Sequence, residues 1–273
     1  MRLTAENYFS PEMNMAYMSA SQFKAFRNCE AAALAEVKGE WKRPESAALR
    51  LGGYVDAYLT GGMEKYREEH PELFKRDGSL KSEYQSAQAA AERLAEDELA
   101  RLLLSGRHQV IKTGKVNGVR YKAKIDSLLS PTKVERICRK FPKVRDLVPL
   151  GGPMIVDLKY MRDFEPIWSE EYQDKIAFAE FWGYDYQGAI YQALDKRSAP
   201  FVIVAATKET EADIGAFYIP DDALLVCLAE VEENSPRYDA IKKGKIQPTS
   251  CGKCAYCRRQ RKLQGIKHYR EVL

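Results

Sequence analysis

The chain has 273 residues, 45% of them hydrophobic, with a formal net charge of +4 and a pI of about 8.6. That suffices for one large α/β domain with a substantial core, while so mild a charge does not by itself mark a nucleic-acid binder. No apolar run approaches the ~20 residues that span a bilayer, and MRLTAENYFSPEMNM lacks the basic-then-apolar pattern of a signal peptide, so the expectation is a cytoplasmic protein with no membrane contact.

Ser19-Ala20-Ser21 ahead of QFKAFRNCEAAALAEVKG predicts a capped helix. Ser19 or Ser21 would accept from the first-turn amides, and Phe23, Phe26 and Leu34 supply the apolar face. Residues 46–60 predict a second helix; Gly52-Gly53 inside it costs stability and points to close packing or a break. Residues 82–104, rich in Ala, Glu, Leu and Gln, predict a long helix. The pattern then changes. Residues 108–116 read as extended, Asn117-Gly118 is a hairpin signal, and 119–129 alternate as the returning strand. Residues 130–152 carry three prolines and many charges and predict an irregular connection with one short helix. A short apolar strand follows at 154–160, a long helix at 170–195, strands at 201–207 and 213–219, and a helix at 221–243. This order predicts an α/β fold, a mixed central sheet flanked by helices.

The strand IVDLKY carries Asp157 and Lys159. Residues two apart on a strand share a face, so both project together from apolar surroundings, where charge is costly unless paired or metal-bound. On the returning hairpin strand Lys122, Lys124 and Asp126 share one face. If the two strands pair, Asp126 meets Asp157. Adjacent carboxylates repel unless a cation joins them, and Mg²⁺ (or Mn²⁺) suits one or two carboxylates plus phosphate oxygens. Lys159 beside such an ion would orient the attacking water and stabilise developing charge. A structural Asp–Lys ion pair is the alternative for so short a motif.

Asp126 followed by D-x-K on the next strand resembles the PD-(D/E)XK nuclease superfamily. Other stretches resemble its phage recombination exonuclease branch, the RecE-like and YqaJ-like proteins. SASQFKAFRNC is similar to the N-terminal segment of relatives with a cysteine cluster, and RLGGYVDAYLTG to the helix ahead of the core. GVRYKAKIDSLL and MIVDLKYM are similar to the acidic strands, and YDYQGAIYQAL to the following Q-x-x-x-Y helix. The matches run in order from about Ser19 to Cys257. The resemblance implies a restriction-endonuclease-like core, with Gln187 and Tyr191 beside the metal site on one helix face. It also places Asp56 where many members carry a metal-binding His; a carboxylate there can still serve Mg²⁺. No proline precedes Asp126. The implied organisation is a single nuclease domain, with 1–105 its helical portion, 106–245 its core and 246–273 a cysteine-rich basic tail.

Cys251, Cys254 and Cys257 form C-x2-C-x2-C, a spacing that points to metal rather than disulfides. A tetrahedral site or a cubane needs a fourth ligand. The resemblance implies Cys29, because nucleases with an iron–sulfur staple draw one Cys from before the core and three from after it. Their second C-terminal gap is longer than here. A [4Fe–4S] cluster is the expectation, with zinc and free thiols as alternatives. Cys138 and Cys227 read as buried small residues, and the three histidines show no ligand spacing. Lys253, Arg258, Arg259, Arg261, Lys262, Lys267 and Arg270 against Glu271 alone form a phosphate-binding edge or a solvated tail.

The resemblance implies a Mg²⁺-dependent DNA exonuclease acting on duplex ends, 5′ to 3′, with a single-strand annealing protein as partner and a homo-oligomer as an assembly found among relatives. The rival readings are a single-strand or structure-specific nuclease, a non-catalytic metal-bound nucleic-acid-binding protein, and a metabolic enzyme with a structural Asp–Lys pair. No glycine-rich phosphate loop supports a nucleotide-dependent version of the last.

Overall fold

The computed structural model describes residues 2–42, 47–149, 151–195, 199–263, 265–266, 268 and 270. Three short helices open the chain: α1 (Pro11–Ala16), α2 (Ala20–Asn28) and α3 (Glu30–Lys38). Ser19 caps α2, its Oγ accepting from Gln22 N at 3.2 Å. The single helix expected there is two, because Cys29 is extended (φ −165°, ψ 108°) between them. Next come α4 (Ala47–Thr60), α5 (Met63–Glu69), α6 (Ser82–Glu96) and α7 (Glu98–Leu103). Residue 46, expected to start α4, lies outside the described residues. Gly53 has the close neighbour its helix position suggested: a Cβ there would meet the Tyr66 ring at 3.2 Å. Asp97 divides the expected long helix by capping α7, accepting from Ala100 N at 2.8 Å.

The hairpin is β1 (Arg107–Val116) and β2 (Val119–Leu129), turning at Asn117 (φ 42°) and Gly118 (φ 78°), a pair of positive φ values suited to Asn-Gly. The connection is more regular than its prolines suggest. It holds α8 (Pro131–Lys140) and α9 (Pro142–Leu147), each starting on a proline at its first turn, where the missing N–H does no harm. β3 (Met154–Met161) follows. Then the expected helix from 170 is replaced, up to Ile176, by a small hairpin of β4 (Ile167–Ser169) and β5 (Asp174–Ile176). Helix begins only at α10 (Phe178–Phe181) and α11 (Tyr184–Asp195). The chain continues through β6 (Phe201–Thr207), β7 (Ile214–Ile219), α12 (Asp221–Lys242) and α13 (Ala255–Gln260).

The main sheet has the order β1-β2-β3-β6-β7, and only β3–β6 is parallel. Every residue of β6 is buried, the mark of a strand covered on both faces. Two apolar clusters cover the sheet. On one face Phe23, Phe26, Ile190 and Tyr238 from α2, α11 and α12 pack against Tyr121, Ile125, Ile203 and Ala205. On the other, Tyr54, Leu94 and Ile137 from α4, α6 and α8 pack against Leu129, Val156 and Val204. The architecture is thus a mixed sheet between two helical layers.

The beginning and end of the chain are bound to each other. Lys242 is 4% exposed; its Nζ donates to Asn14 O, Tyr17 O and Gln22 Oε1 at 2.6, 2.7 and 2.9 Å. Arg237 makes a two-pronged ion pair with Glu30 at 2.6 and 2.9 Å, and Thr249 N donates to the same carboxylate at 2.7 Å. These contacts hold α2 and α3, which carry groups facing the cleft, against α12.

Candidate active site and cysteine centre

The site lies where β2 and β3 diverge. Their ladder runs through Leu129↔Met154, Leu128↔Ile155 and Ser127↔Val156 and stops there. Continuing that register sets Asp126 opposite Asp157. Instead of a backbone bond, Asp126 Oδ2 accepts from Leu158 N at 3.0 Å. The carboxylate itself replaces the ladder at the fork.

Asp157 is 2% exposed. Its Oδ1 accepts from Gln187 Nε2 at 2.6 Å, and its Oδ2 is ion-paired with Lys159. Burial would lower the Lys159 pKa, but Asp157 and then Asp126 more than offset it and the ammonium is held above its ordinary value. Burial pushes the Asp126 carboxyl up to about 7, and the charge of Asp157 adds to the effect. Tyr191 on α11 donates to Lys124 O on β2 at 3.2 Å. Gln187 and Tyr191, four apart on the helix, therefore both face the fork, one on the carboxylate and the other on the strand beside it.

Asp56 on α4 faces the same centre. Burial raises its pKa, Lys124 and His108 oppose the rise, and its own charge contributes to the elevation of Asp126. Gln109 holds it, Nε2 lying 3.2 Å from Oδ2 and 3.4 Å from Oδ1. Among the described residues, the one group of His, Cys, Asp or Glu ligand atoms gathered closely enough to hold an ion as it stands is the cysteine set. The three carboxylates are neighbours in charge without being gathered to chelating distance.

Three contributors escaped the sequence reading. Gln109 has φ +52°, rare for a non-glycine residue, and sits between the pairs His108↔Ser127 and Val110↔Ile125, opposite Asp126. Its Oε1 is buried without a hydrogen-bond partner. Backbone strain of this kind gathers at functional sites. Lys24 on α2 donates to Trp182 O at 3.0 Å and lies 5.4 Å from the Tyr184 ring centre. Tyr184 also lies under Lys159, 4.8 Å from Nζ to ring centre. Burial, then the like charge of Lys159, brings Lys24 down to about 8. Lys124, which its spacing set on the Asp126 face of β2, joins Lys24 at the cleft. Lys24, Lys124, Gln187 and Tyr191 line a cleft of about 500 Å³ with Tyr8, Phe9 and Ser21. Lys122, expected on the same strand face, is spent elsewhere: 1% exposed, it donates to Tyr8 O and to Asn14 Oδ1, the latter at 2.8 Å.

A family model described as a PDDEXK-like domain of unknown function (DUF3799) matches residues 19–134 and 143–260. The chain belongs to this PDDEXK-like family. The match spans α2 through α13 and so includes the fork and the cysteines. A crystal structure of a protein from Eubacterium rectale, provisionally named an exonuclease, is 34% identical, covers 98% of this chain and 97% of its own, and superposes with a TM-score of 0.85. No curated protein matches the chain in sequence. The fold is accordingly the PD-(D/E)XK one, a mixed sheet with flanking helices. Asp126, Asp157 and Lys159 stand in this PDDEXK-like chain at the fork described above.

The second centre joins Cys29, between α2 and α3, to Cys251, Cys254 and Cys257 around α13. Their four sulfurs lie within 4.8 Å of one another, a group that could hold a metal. Ala31, Ala32 and Tyr256 pack around it. Cys138 and Cys227 are buried in the two main cores. His70 pairs with Glu72 at 3.0 Å and belongs to neither centre. In the basic tail, Arg258, Arg259, Arg261 and Lys262 are exposed, with Arg259 over the Trp41 ring at 5.5 Å and Arg261 donating to Gly252 O at 2.7 Å. Lys267 and Glu271 lie outside the described residues. No helix among the described residues is long and apolar enough to cross a membrane.

The Asp126 environment has a pH consequence. A carboxyl raised from 3.8 to about 7 takes up a proton on folding between those values. Its stabilising contribution is whole below about pH 4 and is lost as pH rises through about 7. In EDTA, the wild-type melting temperature should therefore fall relative to Asp126→Asn as pH goes from about 5 to about 8. Parallel melting curves for the two proteins across that range would refute the assignment.

Proposed function

We propose that the chain is a divalent-metal-dependent nuclease that hydrolyses DNA phosphodiester bonds, with Asp126, Asp157 and Lys159 as its centre. The observation that carries this reading is the meeting of two carboxylates and a charged lysine at a strand fork whose neighbours Lys124, Gln187 and Tyr191 line a basic cleft. The residues fit a hard cation. Both donors are carboxylates, and the raised Asp126 carboxyl is an electrostatic cost that a cation would relieve. Asp126 and Asp157 would hold Mg²⁺ (or Mn²⁺), with Asp56 as third acid. When bound, the ion supplies an acidified water and neutralises phosphate charge.

The protein's own groups do the remaining work. Lys159, kept protonated by its two acids, positions the water and stabilises charge developing on the phosphate oxygens. Gln187 fixes the Asp157 carboxylate through its 2.6 Å bond, and Tyr191 anchors α11 to β2 beside the substrate path. Lys24 and Lys124 supply positive charge for backbone phosphates along the cleft. The name of the E. rectale neighbour favours an exonuclease, and duplex ends are its proposed substrate. The proposal extends to 5′-to-3′ polarity, service in phage-type recombination with a single-strand annealing protein, and one domain over 1–273 in a cytoplasmic, homo-oligomeric enzyme.

A second mode has an observation of its own. Trp168, Tyr172 and Trp182 are 49, 60 and 51% exposed, Trp182 being tied to the cleft-lining Lys24 through its carbonyl, and such rings offer stacking faces for unpaired bases. Digestion of end-labelled linear duplex, closed circular duplex and single strands, each with Mg²⁺ and with EDTA, separates the cases. Cleavage of linear duplex alone supports the exonuclease, while preference for single strands supports the second mode. No Mg²⁺-dependent cleavage of any substrate refutes the nuclease.

Asp56 gives a finer test. As a third anionic group it should favour hard Mg²⁺. Asp56→Ala should raise the Mg²⁺ concentration for half-maximal rate, and Asp56→His should restore activity with a shift toward Mn²⁺. If both variants keep the wild-type metal dependence and differ only in melting temperature, Asp56 serves its helix alone.

A further inference from the structure

The resemblance to iron–sulfur-stapled nucleases implies a four-iron cluster at Cys29, Cys251, Cys254 and Cys257. The geometry disagrees. Cys29 Sγ lies 3.6 Å from Cys257 Sγ, and Cys251 Sγ lies 3.9 Å from Cys257 Sγ. These are contact distances. Four thiolates bound tetrahedrally to one ion at about 2.3 Å stand about 3.8 Å apart, which is what these two pairs show. In a cubane each thiolate binds a different iron, and the four point outward from an eight-atom core, so none touches another.

The enclosed space leads to the same conclusion. All the sulfurs lie within 4.8 Å of one another. Four points so confined lie no more than about 3 Å from a common centre, room for one ion at a metal–sulfur bond length and not for a core of four irons and four sulfides. Making that room would mean driving Cys29 away from Cys257. Cys29 immediately precedes α3, whose first residue Glu30 is clamped by Arg237 and Thr249, and Ala31 N donates to Thr249 O at 3.1 Å. The spacing of Cys29 from the C-terminal segment is therefore fixed by bonds that involve no thiol.

The surroundings suit thiolates. Cys254 N points at Cys251 Sγ and Cys257 N at Cys254 Sγ, both at 3.4 Å, while Cys251 N points at Cys29 Sγ at 3.5 Å. Each backbone donor offsets negative charge on a sulfur. Gly252, at φ +76°, allows the turn that aims the first of them. Cys29 and Cys257 are 6 and 8% exposed, and the four ligands leave no open position of the kind a catalytic ion keeps.

We infer that the cysteine centre is a closed, tetrahedral single-ion site for a thiophilic divalent metal, zinc by chemical class, and not an iron–sulfur cluster. It joins the helices before the sheet to the segment after it and has no redox role. The inference stands independently of the cleavage chemistry.

The test uses the full chain, expressed with iron and zinc both supplied and purified anaerobically without chelators. Elemental and acid-labile sulfide analysis should find one zinc per chain, no stoichiometric iron, no sulfide and no visible colour. Titration of the native protein with a mercurial should release that zinc as the four cluster thiols are consumed. Exchange into Co²⁺ should produce the intense visible bands of tetrahedral cobalt thiolate. Cys138→Ser, outside the centre, should keep full metal content. Cys254→Ser should lose most of it and melt at a lower temperature; if that variant does not fold, the wild-type stoichiometry and cobalt spectrum still decide. Iron and sulfide in equal, multi-atom amounts would overturn the inference in favour of a cluster. Metal-free protein with all its thiols titratable would overturn it in favour of hydrogen-bonded cysteines.

Discussion

Asp157→Asn should reduce DNA cleavage by more than about a hundredfold, since even the outer partners of a metal ligand cost about 10–100-fold when removed. The change deletes one of two charges that would hold the ion. It also disturbs a buried carboxylate that engages both neighbours. Asp157 accepts from Gln187 on one oxygen and pairs with Lys159 on the other, at 2% exposure. An asparagine can accept from one of these donors, but its amide then faces the other, leaving a buried donor unmet at a cost of about 1–3 kcal/mol. Asp126→Asn should lose cleavage to a similar degree without that penalty. Its Leu158 N–H contact needs only one accepting oxygen, and the carboxyl it replaces is already pushed toward neutrality. The pair of variants thus separates chemistry from folding: equal loss of turnover and of Mg²⁺ affinity, with opposite effects on metal-free stability near pH 8. Single-turnover cleavage, calorimetric Mg²⁺ titration and thermal melts read all three. Wild-type Mg²⁺ affinity in both variants would remove these acids from the metal site.

Lys159→Ala should cost about 10²–10³ in turnover, the range for removing one preorganised group that stabilises transition-state charge. Sequence alone suggests a residue free to be removed without harm to folding. The ion pair changes that expectation, because removing Lys159 leaves Asp157 buried with Gln187 as its one remaining partner among the described residues. Breaking a fully buried pair costs about 3–5 kcal/mol; with the Lys159 side chain 19% exposed, about 2–4 kcal/mol is expected here. Mg²⁺ should restore much of that stability by taking the place of the ammonium beside Asp157, yet it should not restore turnover. Melting curves with and without Mg²⁺, beside single-turnover rates, check both halves. A variant that melts as wild type in EDTA shows that the pair contributes nothing to folding, and one that cleaves as wild type removes Lys159 from the chemistry.

Much of the site was legible because it rests on local periodicity. The two-residue spacing of Asp157 and Lys159 sets them on one strand face, and the four-residue spacing of Gln187 and Tyr191 sets them on one helix face. Asn117-Gly118 marked the turn that brings Asp126 back beside the third strand. Where local pattern misled, a single backbone choice intervened. Extended Cys29 split one helix, Asp97 capped another, and the polar run 167–176 closed as a hairpin although its composition allows helix. Proline in 131–149 suggested disorder of pattern, but two of these prolines stand at helix starts, where they favour the helix.

By itself the sequence determined the α/β order, the faces on which the acids, the lysine and the Gln–Tyr pair lie, and the grouping of three cysteines near the end. All of these follow from residue type and spacing along a single element. Only the tertiary structure decided that the β2–β3 ladder ends at Ser127↔Val156, so that Asp126 meets Leu158 N. It alone placed Lys24 and Gln109 around the acids, and it alone set the four sulfurs close enough to suit one ion. These are distances between segments far apart in the chain, set by how the sheet, its helices and the Glu30–Arg237 clamp pack together. Periodicity within an element records which way a side chain faces, but not how far it stands from another element's.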